Sequence, residues 1–144
     1  MIQISSWTNT IFFSLVGTIH VYWAFLGLLG IPLDSINAVI PEKKEGNLSF
    51  QPSVLATLVV AIGLFTMAFF SWEILSDAVV FSEQWVKRIN AGIAFLFLVR
   101  AIGDFKYVGF FKKVKETRFA LNDTRYYSPL CLCVAYNALI IAIN

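Results

Sequence analysis

The chain has 144 residues, of which 58% are hydrophobic and 14% charged, with a mean hydropathy of +0.74 and a formal net charge of +2. A water-soluble domain carries about 25% charged residues, so there is too little polar surface here to cover a globule in water. That excludes an ordinary soluble domain and makes lipid the natural solvent, which predicts an all-α, four-helix transmembrane bundle in a single domain over residues 1–144.

No Asp, Glu, Lys or Arg precedes Asp34. The N-terminal residues lack a basic stretch, and no small-x-small cleavage site follows the first apolar run, so that run reads as a retained span. Thr10 to Leu29 provides the ~20 apolar residues that a bilayer core requires, and Gly30 and Pro32 end it. His20, the only histidine, lies on a strip with Phe13, Gly17, Trp23, Ala24 and Gly27. The small members of that strip let another helix approach closely, so His20 should face the bundle. It serves there either as a hydrogen-bonded core imidazole or in proton or ligand handling. The connector to Pro52 is long, and its Ile36, Val39 and Ile40 suggest a segment lying on the membrane surface.

Ser53 to Trp72 forms the second span, with Pro52 suited to the first helical turn and Glu73, Asp77 and Glu83 marking its exit. The third, Trp85 to Tyr107, contains Arg100 and Asp104. Their i, i+4 spacing places them on one helix face, continued by Tyr107. Ionised groups at membrane depth face the bundle and pair. The two therefore form either an ion pair that locks helices together or part of a ligand site. The fourth span, Ser128 to Asn144, reads with Ser128 as N-cap and Pro129 as N1. Cys131, Ala135, Ala138 and Ala142 form its small-residue packing stripe, and Asn137, on the other face, should bond to another helix. Cys131 and Cys133 point about 200° apart on a helix and read as two inert thiols.

Six of the eleven Lys and Arg fall between Lys106 and Arg125. Lying between two apolar runs, this segment has anionic lipid headgroups as its nearer partner, rather than nucleic acid. Phe110, Phe111 and Val114 can dip into the acyl boundary while the lysines meet phosphates. Positive residues stay in the cytoplasm. The basic connector is therefore predicted inside, with Lys43 and Lys44, and both termini outside.

Phosphate-binding loops, nucleophile elbows and zincin motifs are absent, and one histidine makes a protein-held metal improbable. No cofactor is expected.

Three stretches together resemble a family of small bacterial four-span integral membrane proteins classed as a domain of unknown function. They are His20-Val21-Tyr22-Trp23-Ala24, the run R-A-I-G-D-F-K-Y-V-G-F-F-K from Arg100 to Lys112, and Thr117-Arg118-Phe119-Ala120 with D-T-R-Y-Y-S-P-L-C from Asp123 to Cys131. The resemblance spans nearly the whole chain and implies four spans in a bacterial inner (cytoplasmic) membrane; it brings no activity with it. It also implies that the strings bracket one end of the spans, where His20, Arg100, Asp104, Tyr107, Asp123, Arg125 and Ser128 would converge as ligand-binding candidates.

The leading expectation is a module that binds a lipid or small amphipathic molecule by an anionic group near Arg100 and Arg125. A second is an accessory subunit of a larger membrane complex, with a membrane-protein partner or homo-oligomer. A third is a membrane enzyme using His20 and Asp104 for acid–base work.

Overall fold

The computed structural model describes residues 1–31, 53–76 and 80–144. The expected surface segment around Ile36, Val39 and Ile40 lies outside them, as do Lys43, Lys44, Pro52 and Asp77. Among the described residues there are four long helical stretches and no strand: α1 (Ile2–Leu28), α2 (Val54–Leu75), α3 (Glu83–Ile102) and α4 (Arg118–Ile143).

Helix α1 begins well before Thr10, because nothing between Ile2 and Asn9 breaks a helix. Its early polar residues Ser5, Ser6 and Asn9 are buried against the bundle. It stops at Gly30, whose φ of +67° suits glycine. Helix α2 is capped by Ser53, which accepts a 3.2 Å hydrogen bond from the Ala56 N–H. Its last turn, Glu73–Leu75, tightens to 3₁₀ geometry.

Two further expected boundaries need correction. Helix α3 ends at Ile102 and does not run on to Tyr107, because Gly103 has φ +94° and leaves helical space. Helix α4 does not start at Ser128: Thr117 is its N-cap, accepting from the Ala120 N–H at 3.1 Å, and Ser128 is interior. Asp123–Tyr127 forms a π turn inside α4, separated from Pro129 by Ser128 alone. A proline ring clashes with the carbonyl four residues back and offers no N–H; widening the preceding turn lets the helix continue through it.

The principal pairings are α1 with α2 and α3 with α4, and α1 also packs on α4. All four helices meet at a core containing Phe13, Leu64, Ala68, Ile93, Ala94, Val134 and Ala138. Two small residues of the α1 strip admit a neighbouring helix as expected. A Cβ on Gly17 would lie 3.2 Å from the Phe65 ring, and one on Gly27 would lie 3.0 Å from Val54 Cγ2. Asn137 does bond across helices: its amide donates to Asn9 Oδ1 at 3.3 Å, while Asn9 donates to the Val134 carbonyl at 3.2 Å. Cys131 is buried and Cys133 exposed, as their angular separation requires.

The exterior is apolar: Leu15, Val59, Phe95 and Leu139 are among many exposed large side chains. Exposed Thr18 and Thr66 return their hydroxyls to the carbonyls of Ser14 and Ile62, which leaves no donor seeking water. Helices α1, α2 and α4 are long and apolar enough to cross a membrane. Helix α3 is 20 residues long but carries Glu83, Lys87, Arg88 and Arg100, and is not among those three.

Candidate functional site

At one end of the bundle the strings from Arg100 to Lys112 and from Asp123 to Cys131 build a single polar hub. After α3 the chain doubles back on the helix end, with the Phe110 N–H donating to the Ala101 carbonyl at 2.9 Å. This fold-back requires glycine twice. A Cβ on Gly103 would lie 1.7 Å from the Val108 carbonyl oxygen, and one on Gly109 would lie 2.4 Å from the Ile102 oxygen. Both residues also have positive φ.

Asp123 lies at the centre and is fully withdrawn from solvent. Its Oδ1 accepts from Arg100 Nη2 at 2.9 Å. Its Oδ2 accepts from the Gly109 N–H at 2.8 Å, Lys112 Nζ at 2.9 Å and Ser128 Oγ at 3.3 Å. The last contact depends on the π turn: residues five apart share a face only where the helix is widened. Lys112 is as buried as its partner, and it also donates to the Gly109 carbonyl at 2.9 Å and Thr124 Oγ1 at 2.6 Å. All three of its donors are thereby used. One carboxylate faces two cations, so the hub carries a surplus positive charge. Arg100 Nη1 is buried without a hydrogen-bond partner.

The expected Arg100–Asp104 pair is not formed. Helix α3 ends between them, so the i, i+4 geometry does not apply, and Arg100 reaches Asp123 on α4 instead. Asp104 is exposed and caps its own loop, accepting from the N–H groups of Lys106, Tyr107 and Val108 at 2.9, 2.7 and 2.9 Å. Partial burial pushes its carboxyl up, but the three N–H donors outweigh that and hold it below the usual carboxylate range.

Arg125 does not join the hub. It is exposed, with its guanidinium 5.4 Å from the Tyr126 ring centroid, two residues along the helix from inward-facing Asp123. Tyr107 is half-buried and contributes its backbone N–H to Asp104, with the Lys106 ammonium 5.0 Å from its ring centroid. His20 is half-buried on α1. Its Nδ1 lies 2.8 Å from the Val16 carbonyl and its ring 5.1 Å from that of Trp23. Among the described residues no polar contact links His20 to Arg100, Asp104 or Asp123. The structure therefore joins Arg100, Asp123 and Ser128 and leaves His20, Asp104, Tyr107 and Arg125 outside their contact set.

Sequence reasoning missed Lys112 and the Gly109 N–H. Lys112 resembled its neighbours Lys113 and Lys115 as one of a run of interfacial lysines, yet it is 2% exposed. A spacing signal was available: the glycine at 109 precedes Lys112 by one turn, and its carbonyl receives the ammonium.

Lys106, Lys113, Lys115, Arg118 and Arg125 are exposed around the hub, as are Phe105, Phe110 and Phe111. A trough of about 520 Å³, almost wholly apolar, runs between α3 and α4 from Leu98 and Leu132 to Ala91 and Leu139. It begins within a turn of Arg100. No group of three or more His, Cys, Asp or Glu able to hold a metal occurs among the described residues.

The chain belongs to the family described as Protein of unknown function (DUF3995), whose model matches residues 13–138. That span includes every string on which the resemblance rests. No curated protein and no solved structure matches the chain.

Proposed function

We propose that this member of the family is a four-span membrane module that binds an anionic lipid. The headgroup would lie on the Lys106–Arg125 face beside Arg100, and an acyl chain along the α3–α4 trough. One observation carries this reading: Asp123 is taken up by Arg100 and Lys112, and among the described residues of the Lys106–Arg125 segment the five exposed cations Lys106, Lys113, Lys115, Arg118 and Arg125 outnumber the one exposed carboxylate there, Glu116, and that of neighbouring Asp104. The surface field at this end is therefore positive, and the aromatic side chains beside it suit the headgroup level. The trough supports the same reading, because it starts near Arg100 and is lined by Ala94, Leu98, Ala135 and other apolar groups. In the membrane the basic end would face the cytoplasm, with both termini on the other side.

Native mass spectrometry of protein released from nanodiscs tests the proposal. Protein from discs containing phosphatidylglycerol should retain bound lipid, and protein from pure phosphatidylcholine discs should not. The triple variant Lys113→Ala/Lys115→Ala/Arg118→Ala should lose most of the retained phosphatidylglycerol. Equal retention of both lipids by the wild type would sink the reading.

A further inference from the structure

The opposite end of the bundle holds a second buried carboxylate, with different unmet requirements. Glu73 follows the last α-helical residue of α2 and is 4% exposed. Its Oε1 accepts from the N–H groups of Val80 and Phe81 at 2.6 and 3.0 Å. Its Oε2 is buried and has no hydrogen-bond partner. No Lys or Arg among the described residues pairs with it; Lys87 pairs with Glu83 on the rim instead. Glu73 lines a cleft of about 350 Å³ with the apolar Ile2, Ile74, Phe81 and Val86 and with polar groups that include a second carboxylate, Glu83.

The surroundings have the same deficit. Ser6 lies one turn inward of Ile2 and Gln3, Asn90 one turn inward of Val86, and Ser71 two residues inward of Glu73. All three are completely buried, and Ser6 Oγ, Ser71 Oγ and Asn90 Oδ1 have no partner. Among the described residues every unmet buried atom at this end is an oxygen; the one unmet nitrogen is that of Arg100, at the other end. Water could satisfy the hydroxyls and the amide; at Glu73 a donor that carries positive charge would satisfy Oε2 and offset the carboxylate at once.

We infer that the Glu73 cleft binds an organic cation that bears N–H donors, a primary amine. The free Oε2 requires a donor, which a quaternary ammonium lacks. A hard metal ion takes about six or more oxygen ligands, whereas Glu73 Oε1 is already engaged by two N–H groups and Glu83 by Lys87. The size of the cleft and its Phe81 ring suit an alkylammonium, with the charge at Glu73 and the carbon chain against Ile2, Ile74 and Val86. Such a cation arrives either as a free amine or as the headgroup of an aminophospholipid.

The probe is radiolabelled butylamine, with binding measured by scintillation proximity on the full chain in phosphatidylcholine nanodiscs. Saturable binding is expected, displaced by unlabelled butylamine and not by 1-butanol. Glu73→Gln should weaken it at least tenfold. Gln3→Trp, at an exposed position on the cleft rim, should block it while leaving the carboxylate intact; this second variant decides the matter if the first does not fold. Repeating the measurement in phosphatidylethanolamine discs separates the sources. Lost binding there identifies the headgroup as occupant, and retained binding identifies a free amine. Absence of saturable binding in phosphatidylcholine discs, displacement by butanol, or unchanged affinity in the folded variants overturns the inference.

Discussion

Arg100 and Asp123 meet at 2.9 Å although 23 residues separate them, and the loop between them folds so that Lys112 reaches the other oxygen of the same carboxylate. The helix that ends at Ile102 and the helix that begins at Arg118 are therefore tied through a single buried anion. Within the intervening loop, Gly109 and Lys112 are held to that anion, while Asp104 organises the turn before them.

Asp123→Ala should be far more damaging than Asp104→Ala. Removing Asp123 leaves Lys112 buried and uncompensated, at a cost of roughly 3 kcal/mol. That is the lower end of the usual range, because Arg100 keeps a third of its side chain exposed. Asp104 is exposed, so its loss affects only its own loop. Thermal unfolding of both variants in detergent provides the comparison, and equal melting temperatures would contradict the hub.

Gly103→Ala and Gly109→Ala should each sharply reduce the folded yield. Both positions have positive φ, which alone costs about 1–2 kcal/mol for a residue with a Cβ, and both would drive that Cβ into backbone. Gly92→Ala is the contrast: nothing lies within 4 Å of its added Cβ. In a helix interior that change should stabilise by about 1 kcal/mol. Size-exclusion yield and melting temperature would read all three.

The Asp104 turn should loosen in acid. Its carboxyl in the folded protein lies below the ordinary value of 3.8. The stability it contributes is therefore complete above that value and is lost as pH falls through the lower, folded-state pKa. Hydrogen exchange at the Lys106, Tyr107 and Val108 amides should be slow near neutral pH. On acidification these three should lose more protection than the amides of α1, and Asp104→Asn should show the loosened state at every pH. Protection of the three that is independent of pH would refute the assignment.

Orientation can be read by cysteine labelling in a Cys131→Ala/Cys133→Ala background. An impermeant maleimide applied to cells should modify Gln3→Cys and spare Lys113→Cys, since the basic loop is expected inside. The reverse pattern would invert the proposed topology.

Helical class, the run of apolar segments and the basic end were legible in the sequence, because composition and hydropathy are sums over many residues and no single contact decides them. The packing roles of Gly17, Ala135 and Asn137 were legible too, since each follows from its position on a helix face. The ion pairs were not. Arg100 and Asp104 satisfy an i, i+4 rule that holds only while the helix continues, and whether it ends at Gly103 depends on a fold-back against Val108 and Gly109. Ser128 read as a cap because Pro129 follows it, whereas the π turn carries the helix through. Lys112 and Glu73 were indistinguishable from surface charges, because burial of a single ionic side chain is decided by what the other helices and loops place around it. Local sequence determined which segments are helical and apolar; the tertiary structure decided which charges are desolvated and which partners they meet, since those are contacts between residues distant in the chain.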